Sequence, residues 1–342
     1  MIYDLVTLTV LSVSAYAGLS SEETSPVRKD TLTESVVTSS VKMALTETEQ
    51  AIPVTTFTMK DFGAARIGSP KNLAGIVPGL IIPDYGSSMT STIYMRGIGS
   101  RMENPVIGLY IDDIPVIDKN NYDFSFLDIR RADIFRGPQG TLYGRNSMLG
   151  VLSVETLSPA VWQGVRGAVE YGSANSLRAN ASIYSGNVGA AVMYSHSNGF
   201  YVNDFSGRNC DVSDNVALRF RYVKSRDNID IDNILSASYT DEGGYPYRLW
   251  TAGDGASPQG YLNPVNYNDR SSYKRISVMD GVRVNASLRT VNLSSVTSLQ
   301  LLHDSMDLDQ DFTPKSMFTL NQTQNQLAVT QEFVLKPKTH SK

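Results

Sequence analysis

The chain has 342 residues, room for two or three ordinary domains, but its 41% hydrophobic and 19% charged content both fall below those of soluble domains, so uncharged polar residues fill the gap. Its 30 Lys plus Arg against 34 Asp plus Glu give a net charge of −4, which excludes the basic excess a nucleic-acid partner demands. The single Cys210 excludes a disulfide framework and a thiolate zinc cluster, and with His196, His303 and His340 scattered along the chain neither a metal site nor a cofactor is expected.

The N-terminus is apolar from Leu5 to Val13 and then reads Ala15-Tyr16-Ala17, a small-x-small cleavage pattern, so residues 1–17 are expected to be a signal peptide; an ordinary buried strand is the alternative, since Asp4 is present and no Lys or Arg. Residues 18–50 read as a flexible segment, charged and turn-rich up to Lys29. Within it Thr33-Glu34-Ser35-Val36-Val37-Thr38-Ser39 is a β-branched patch that can extend but has no neighbour to pair with locally. It either adds as a strand to another protein's sheet edge or is the first strand of the next domain.

Residues 51–160 mix short elements. Ser69-Pro70 is a helix start, and Leu73, Ile76 and Val77 keep helical spacing until Pro78-Gly79 stops the run. Leu80–Pro83, Thr92–Met95, Val106–Ile111, Ile134–Arg136 and Val151–Val154 read as strands between Gly, Pro, Asn and Asp turns. The expectation is a small α+β domain.

From residue 161 to 342 the pattern becomes long alternation. Val165, Gly167, Val169 and Tyr171 share one face, as do Leu177, Ala179, Ala181 and Ile183, then Val188, Ala190, Val192 and Tyr194, then Val216, Leu218, Phe220 and Tyr222, with Arg178, Arg219 and Arg221 among the polar residues between. Ile229–Tyr239, Ile276–Leu288, Val291–Leu302 and Gln324–Lys336 continue the set to about eight strands, with a phase slip at Ser294-Ser295 read as a bulge. Tight connections alternate with long ones, which is how an antiparallel transmembrane β-barrel is wired, a soluble β-sandwich being the alternative. Beyond Ser20 no apolar run of ~18 residues occurs, so a membrane has to be crossed by these strands.

Enzyme-like matches fail. Gly97-Ile98-Gly99 has Met102 where a dinucleotide fingerprint needs Gly, Gly137–Gly144 lacks the phosphate-loop Lys, and no Ser, His and Asp set stands out. Asp307, Asp309 and Asp311 have calcium-loop spacing, but Phe312 and Phe318 occupy the Gly and Glu positions, so a solvated acidic loop is expected, with a weak surface calcium contact as the alternative.

The run Arg130–Val154 carries the most information. Asp133 and its strand lead into Arg136-Gly137-Pro138, then Gly140, then Tyr143-Gly144, an order that closely resembles the end of the plug domain of TonB-dependent outer-membrane receptors. Leu73–Leu80 is similar to the family's Leu-x-x-x-x-Pro-Gly-Leu helix end, Ile93–Gly99 to its Ile-x-x-Arg-Gly-x-Gly strand, and Gly108–Val116 to its Tyr-x-Asp-Gly-x-Pro strand, with Asp113 standing where Gly is usual. The resemblance implies a plug followed by the first part of a barrel, because plugged transporters have about 22 strands and only about eight are present here. A fragment or truncated reading frame is therefore expected.

The resemblance also implies function: a bacterial outer-membrane receptor, not an enzyme, for energised uptake of a scarce ligand, a ferric siderophore ahead of cobalamin, haem or an oligosaccharide, with TonB and outer-membrane lipid as partners. Thr33–Ser39 is then the TonB box. Arg96 and Arg136 are the arginines that latch the plug onto barrel carboxylates, with Gly97, Asp112, Asp133, Gly137, Pro138, Gly140, Tyr143 and Gly144 as the surrounding motif. Arg101, Asn104, Asn120, Asn121 and Tyr122 follow the motifs that form ligand-facing apices. A non-transporting β-rich surface protein, an adhesin or a receptor remnant, is the competing reading.

Overall fold

The computed structural model describes residues 36–39, 43–46, 53–83, 92–100, 105–252 and 260–338. Val36–Ser39 (β1) pairs antiparallel with Met43–Thr46 (β2), so the β-branched patch has a local partner after all. The expected signal segment and Thr33, Glu34 and Ser35 lie outside the described residues, as do Arg101 and Asn104.

The first domain runs through Val54–Thr58 (β3), Met59–Ala64 (α1), Pro70–Ala74 (α2), Leu80–Ile81 (β4), Tyr94–Met95 (β5), Ile98–Gly99 (β6), Ile107–Ile111 (β7), Ile114–Val116 (β8), a 3-10 turn at Lys119–Tyr122, Ile129–Phe135 (β9), Gly140–Tyr143 (α3) and Gly150–Thr156 (β10). Its main sheet has the order β3-β9-β10-β7-β8, with β10 parallel to β7 and the other neighbours antiparallel. Ser69 caps α2 and Asn72 closes the capping box. The helix stops at Ala74, short of the expected Pro78, because Gly75 follows and the amides of Ile76 and Val77 both turn back to the Leu73 carbonyl. Leu73 and Val77 still reach the core, while Ile76 faces solvent.

Leu73, Met95, Ile107, Leu109, Ile114 and Ile134 are fully buried in that core, each worth about 1.5–3 kcal/mol of transfer free energy. Met279 and Val296 join the same cluster from the second domain, so the two domains share a hydrophobic interior.

The second domain consists of Gly164–Tyr171 (β11), Leu177–Ser185 (β12), Val188–Ser197 (β13), Val202–Asn203 (β14), Arg208–Asn209 (β15), Ser213–Arg226 (β16), Ile229–Gly243 (β17), Trp250–Thr251 (β18), Tyr261–Leu262 (β19), Ser272–Ser287 (β20), Val291–Asp309 (β21) and Thr319–Pro337 (β22). Eight of them form one antiparallel sheet in the order β11-β12-β13-β16-β17-β20-β21-β22, and the hairpins β14-β15 and β18-β19 lie within long loops. Among the described residues the edge strands β11 and β22 do not pair with each other, so this wall is an open sheet. Val165, Val169, Ile183, Val192, Leu218, Phe220 and Leu235 point away from the first domain and are exposed, whereas Ser182, Arg219, Arg221 and Arg275 point toward it and are buried. Period-two alternation therefore marks the wall's two faces, with the polar face turned inward.

The bulge expected at Ser294-Ser295 is absent, since pairing is continuous across that stretch on both sides. The phase slip has another cause. Leu293, Leu299 and Leu301 lie on the outward face, but Val296 and Leu302 are buried on the inward one, Val296 within the cluster it shares with the first domain. Apolar residues change face because the interior is filled.

Candidate functional site

The Gly-rich run between β9 and β10 is a compact corner. After Phe135 the chain passes Arg136, buried Gly137 and exposed Pro138, the Gln139 amide donates to the Ser147 carbonyl, and α3 closes with Gly144 at φ 74°. Tyr143 is buried with its ring edge-on to Tyr110 at 4.8 Å, and the Tyr110 hydroxyl donates to the Tyr143 carbonyl at 2.5 Å. Gly150 follows because a Cβ there would sit 2.4 Å from the Phe135 carbonyl oxygen. Asp133, on the preceding strand, accepts from Thr56 at 2.7 Å and from Arg131 at 2.9 Å. The motif thus joins two neighbouring strands of the sheet and fixes the domain's geometry.

Arg96 and Arg136 behave differently from the expected latch. Arg96 (φ 53°) and Gly97 (φ 82°) turn between β5 and β6, with the Arg96 amide on the Gly79 carbonyl and its side chain exposed. Arg136 gives its amide to the Pro53 carbonyl, and its buried Nε has no hydrogen-bond acceptor among the described residues. Among the described residues neither side chain meets a wall carboxylate.

The ion pairs between the domains run with the opposite polarity, from wall arginines to carboxylates of the β7-β8 turn. Arg221 on β16 places Nη1 3.2 Å from Asp112 Oδ1 and chelates Asp232 of β17 at 3.0 and 2.7 Å. Arg283 on β20 bonds Asp113 Oδ2 at 2.6 Å and shares Asp232 at 2.7 Å. The result is a chain Asp112, Arg221, Asp232, Arg283, Asp113 in which three carboxylates enclose two guanidiniums. Burial alone would raise the Asp112 pKa, but Arg221, Arg219 and two bonds from Thr156 outweigh it and hold the carboxyl below its ordinary range. Asp112 (φ 49°) and Asp113 (φ 71°) both occupy left-handed backbone, which aspartate tolerates better than most residues. Asp113 in place of the family's Gly therefore keeps the turn and gains a buried ion pair.

Past this turn, residues 115–128 form a strap whose carbonyls have few partners within their own domain, and wall side chains supply the donors. Gln300 bonds the Pro115 carbonyl at 2.7 Å and accepts from the Ile117 amide at 3.2 Å. Arg275, held by Asp304 at 2.8 and 3.0 Å, donates to the Asn120 carbonyl; Arg219 donates to that of Leu127, and Arg178 to that of Phe126 at 2.7 Å. Arg221 adds the Thr156 carbonyl at 3.0 Å, and Tyr184 bonds Asp128 at 3.0 Å. Buried carbonyls need donors, and guanidiniums provide them in a directional, charge-assisted form.

The expected ligand apex is divided. Asn120 is buried, its side-chain amide donating to Gln324 at 2.9 Å while its Oδ1 has no partner among the described residues. Asn121 lines a cavity between strap and wall. Tyr122 belongs to the core, its hydroxyl donating to the Ile107 carbonyl at 3.0 Å, so it has nothing to present to a ligand. The reason is the 3-10 turn, which aims residue 122 inward while 121 faces the wall.

Two of the three calcium-spaced aspartates are structural rather than solvated, while Asp307 is exposed. Asp309 and Asp311 are buried and cap the loop, Asp309 accepting the amides of Asp269 and Phe312, and Asp311 those of Thr313, Met317 and Phe318. Among the described residues no His, Cys, Asp and Glu group has metal-holding geometry.

Comparison with known proteins places this architecture. Residues 46–151 match the model of the TonB-dependent Receptor Plug Domain. The pesticin receptor of Yersinia pestis is 29% identical over 144 residues, 42% of this chain and 21% of that protein. Among solved structures, the ferric yersiniabactin uptake receptor FyuA from Yersinia pestis superimposes with a TM-score of 0.68 at 19% identity, over 85% of this chain and 46% of that one. The ferric-catecholate import receptor Fiu from E. coli K12 gives 0.64 at 15%, over 86% and 48%. The chain thus spans about a fifth of the curated relative it matches and under half of either solved receptor. At these identities the likeness to the solved receptors is one of fold.

Proposed function

From a chain that carries a TonB-dependent receptor plug domain, seated against strands with the barrel fold of those outer-membrane receptors, we propose a receptor that imports a scarce ligand with energy supplied through TonB, the ligand being a ferric siderophore. One observation carries the reading: the plug fills the inward face of its own wall through buried, directional and individually breakable polar contacts. A structural remnant or adhesin has no use for such a stopper, whereas a transporter needs one that seals at rest and yields to force. The siderophore class draws support from the named cargo of the structural neighbours, two iron-import receptors.

Thr33–Ser39 serves as the TonB box in this reading. Its described part, β1, is one half of a two-stranded sheet of four residue pairs, and so small an isolated hairpin is marginal in water. Exchanging β2 for a strand edge of TonB costs little and creates a ladder that transmits a pull. Arg101, Asn104 and Asn121 are the ligand contacts carried forward, and lipid surrounds the exposed apolar face of the wall.

Val37→Pro tests the assignment, because proline removes a ladder donor. Energised uptake should vanish while ligand binding at the cell surface stays at its native level. Uptake at the native rate would remove Thr33–Ser39 as the box.

A further inference from the structure

Two cavities lie one above the other on the seam between plug and wall. The upper one, about 320 Å³, is bounded by the strap and the inward faces of β16, β17 and β20, and small hydroxyl residues line its wall side: Ser236, Ser238, Thr240 and Ser277. The strap spans it from an anchor at the Asn120 carbonyl, held by Arg275, to one at the Leu127 carbonyl, held by Arg219. The lower cavity, about 610 Å³, opens toward the short turns and is lined by Arg130, Glu155, Asp230, Ser294 and Lys336. Arg219 borders the upper cavity and Arg221 the lower, and they are successive inward positions of β16.

A single feature separates the two. Ile111 at the end of β7 lines the upper cavity, and the adjoining Asp112-Asp113 turn lines the lower. On the far side of the turn Ile114 presses against bare wall, where a Cβ on Gly281 would lie 2.0 Å from the Ile114 Cδ1. Both aspartates hold left-handed backbone, and both are fixed by wall arginines rather than by their own sheet alone.

We propose that these cavities are successive stations on the ligand's route, that the Asp112-Asp113 turn is the gate between them, and that the route selects an anionic chelate. The inference rests on the import reading above. With the turn seated, Arg221 and Arg283 have Asp112, Asp113 and Asp232 as counter-charges. Withdrawing the turn leaves two guanidiniums sharing Asp232, with Glu155 the nearby carboxylate, next to Lys336 and just below the hydroxyl-lined station. Carboxylate or phenolate oxygens on the ligand can then take the places the plug carboxylates vacate, since desolvated guanidiniums need anionic acceptors. The gate thereby exchanges one set of anions for another, which keeps the wall arginines paired during passage and disfavours cationic solutes.

The test places a thiol at each station of the native protein, in the near-isosteric variants Ser277→Cys and Ser294→Cys. The two serines lie on the wall and are bonded to neither the gate nor the strap. Energised cells are treated with the small anionic reagent 2-sulfonatoethyl methanethiosulfonate, adducts are scored by mass, and uptake of a ferric siderophore is compared for the same variant before and after modification; unsubstituted protein controls for Cys210. A blocked station should cut uptake by roughly tenfold or more with surface binding of the siderophore retained, and the cationic trimethylammonium analogue should react more slowly at Ser294→Cys. Unchanged uptake in modified protein would overturn the route, as would failure of the reagent to reach either thiol during transport, because a path open to a siderophore admits a much smaller molecule. Absence of uptake by the unsubstituted protein would instead refute the import reading itself, which keeps the two failures apart.

Discussion

Replacing Arg221 by Met removes the charge at the centre of the plug-wall ion chain while keeping most of the side-chain volume. Six hydrogen bonds disappear: those to Asp112, to the carbonyl and hydroxyl of Thr156, to the Leu157 carbonyl, and the pair to Asp232. Asp232 keeps Arg283, and Asp112 keeps the amide and hydroxyl of Thr156 at 2.9 and 2.7 Å, so neither carboxylate is wholly abandoned. Breaking a buried ion pair from one side costs about 3–5 kcal/mol, and the surviving contacts put this case near the lower end. The double variant with Asp112→Asn no longer buries an uncompensated charge and should recover about 1 kcal/mol or more relative to Arg221→Met alone. Urea titration of the purified protein, followed by circular dichroism, reads that loss of stability. A cost for Arg221→Met below about 1 kcal/mol, or strict additivity in the double variant, would refute the claim that this pair seats the plug.

Acid should release the same contact in a defined window. The Asp112 carboxyl titrates below its ordinary value of 3.8 in the folded protein, so its contribution is complete above that pH and is lost as pH falls through the lower folded value. Stability in urea titration should hold down to about pH 4 and weaken beneath it, with a smaller acid-induced loss in Asp112→Asn. Gly281→Ala should lower stability by about 1–3 kcal/mol through overpacking against Ile114, and Ile114→Val should return part of the loss in thermal unfolding. Chelators and added calcium should leave the melting temperature unchanged, because the oxygens of Asp309 and Asp311 already accept backbone amides; a calcium-dependent rise would contradict that assignment.

Alternation made the wall legible in the sequence, since a strand with lipid-type residues on one face and polar ones on the other repeats every second residue regardless of what it encloses. The same reasoning misread Ser294-Ser295, because Val296 is apolar for the sake of the plug, and no local pattern reports a neighbour so distant in sequence. The plug was legible through its punctuation: Gly150 is forced by the Phe135 carbonyl and Tyr143 by the Tyr110 contact. Strand β3 and helix α1 went unread, although Thr58 and Asp61 form a capping box there. The latch escaped notice because it runs from wall to plug. Its signal was present in Arg219 and Arg221 on the polar face of one strand, since inward guanidiniums in a filled barrel oblige the filling to supply acceptors. Tyr122 follows a motif that resembles a ligand-facing apex, and only the 3-10 turn reveals that it points to the core.

The most direct test of energised import is the accumulation of radioactive iron, presented as a ferric siderophore, by iron-starved cells that rely on this protein as their sole outer-membrane iron receptor. It is measured before and after an uncoupler collapses the proton-motive force. Accumulation should stop on uncoupling while iron bound at the cell surface persists. Accumulation that continues unchanged without the proton-motive force, or surface binding that never leads to accumulation in energised cells, would contradict the account.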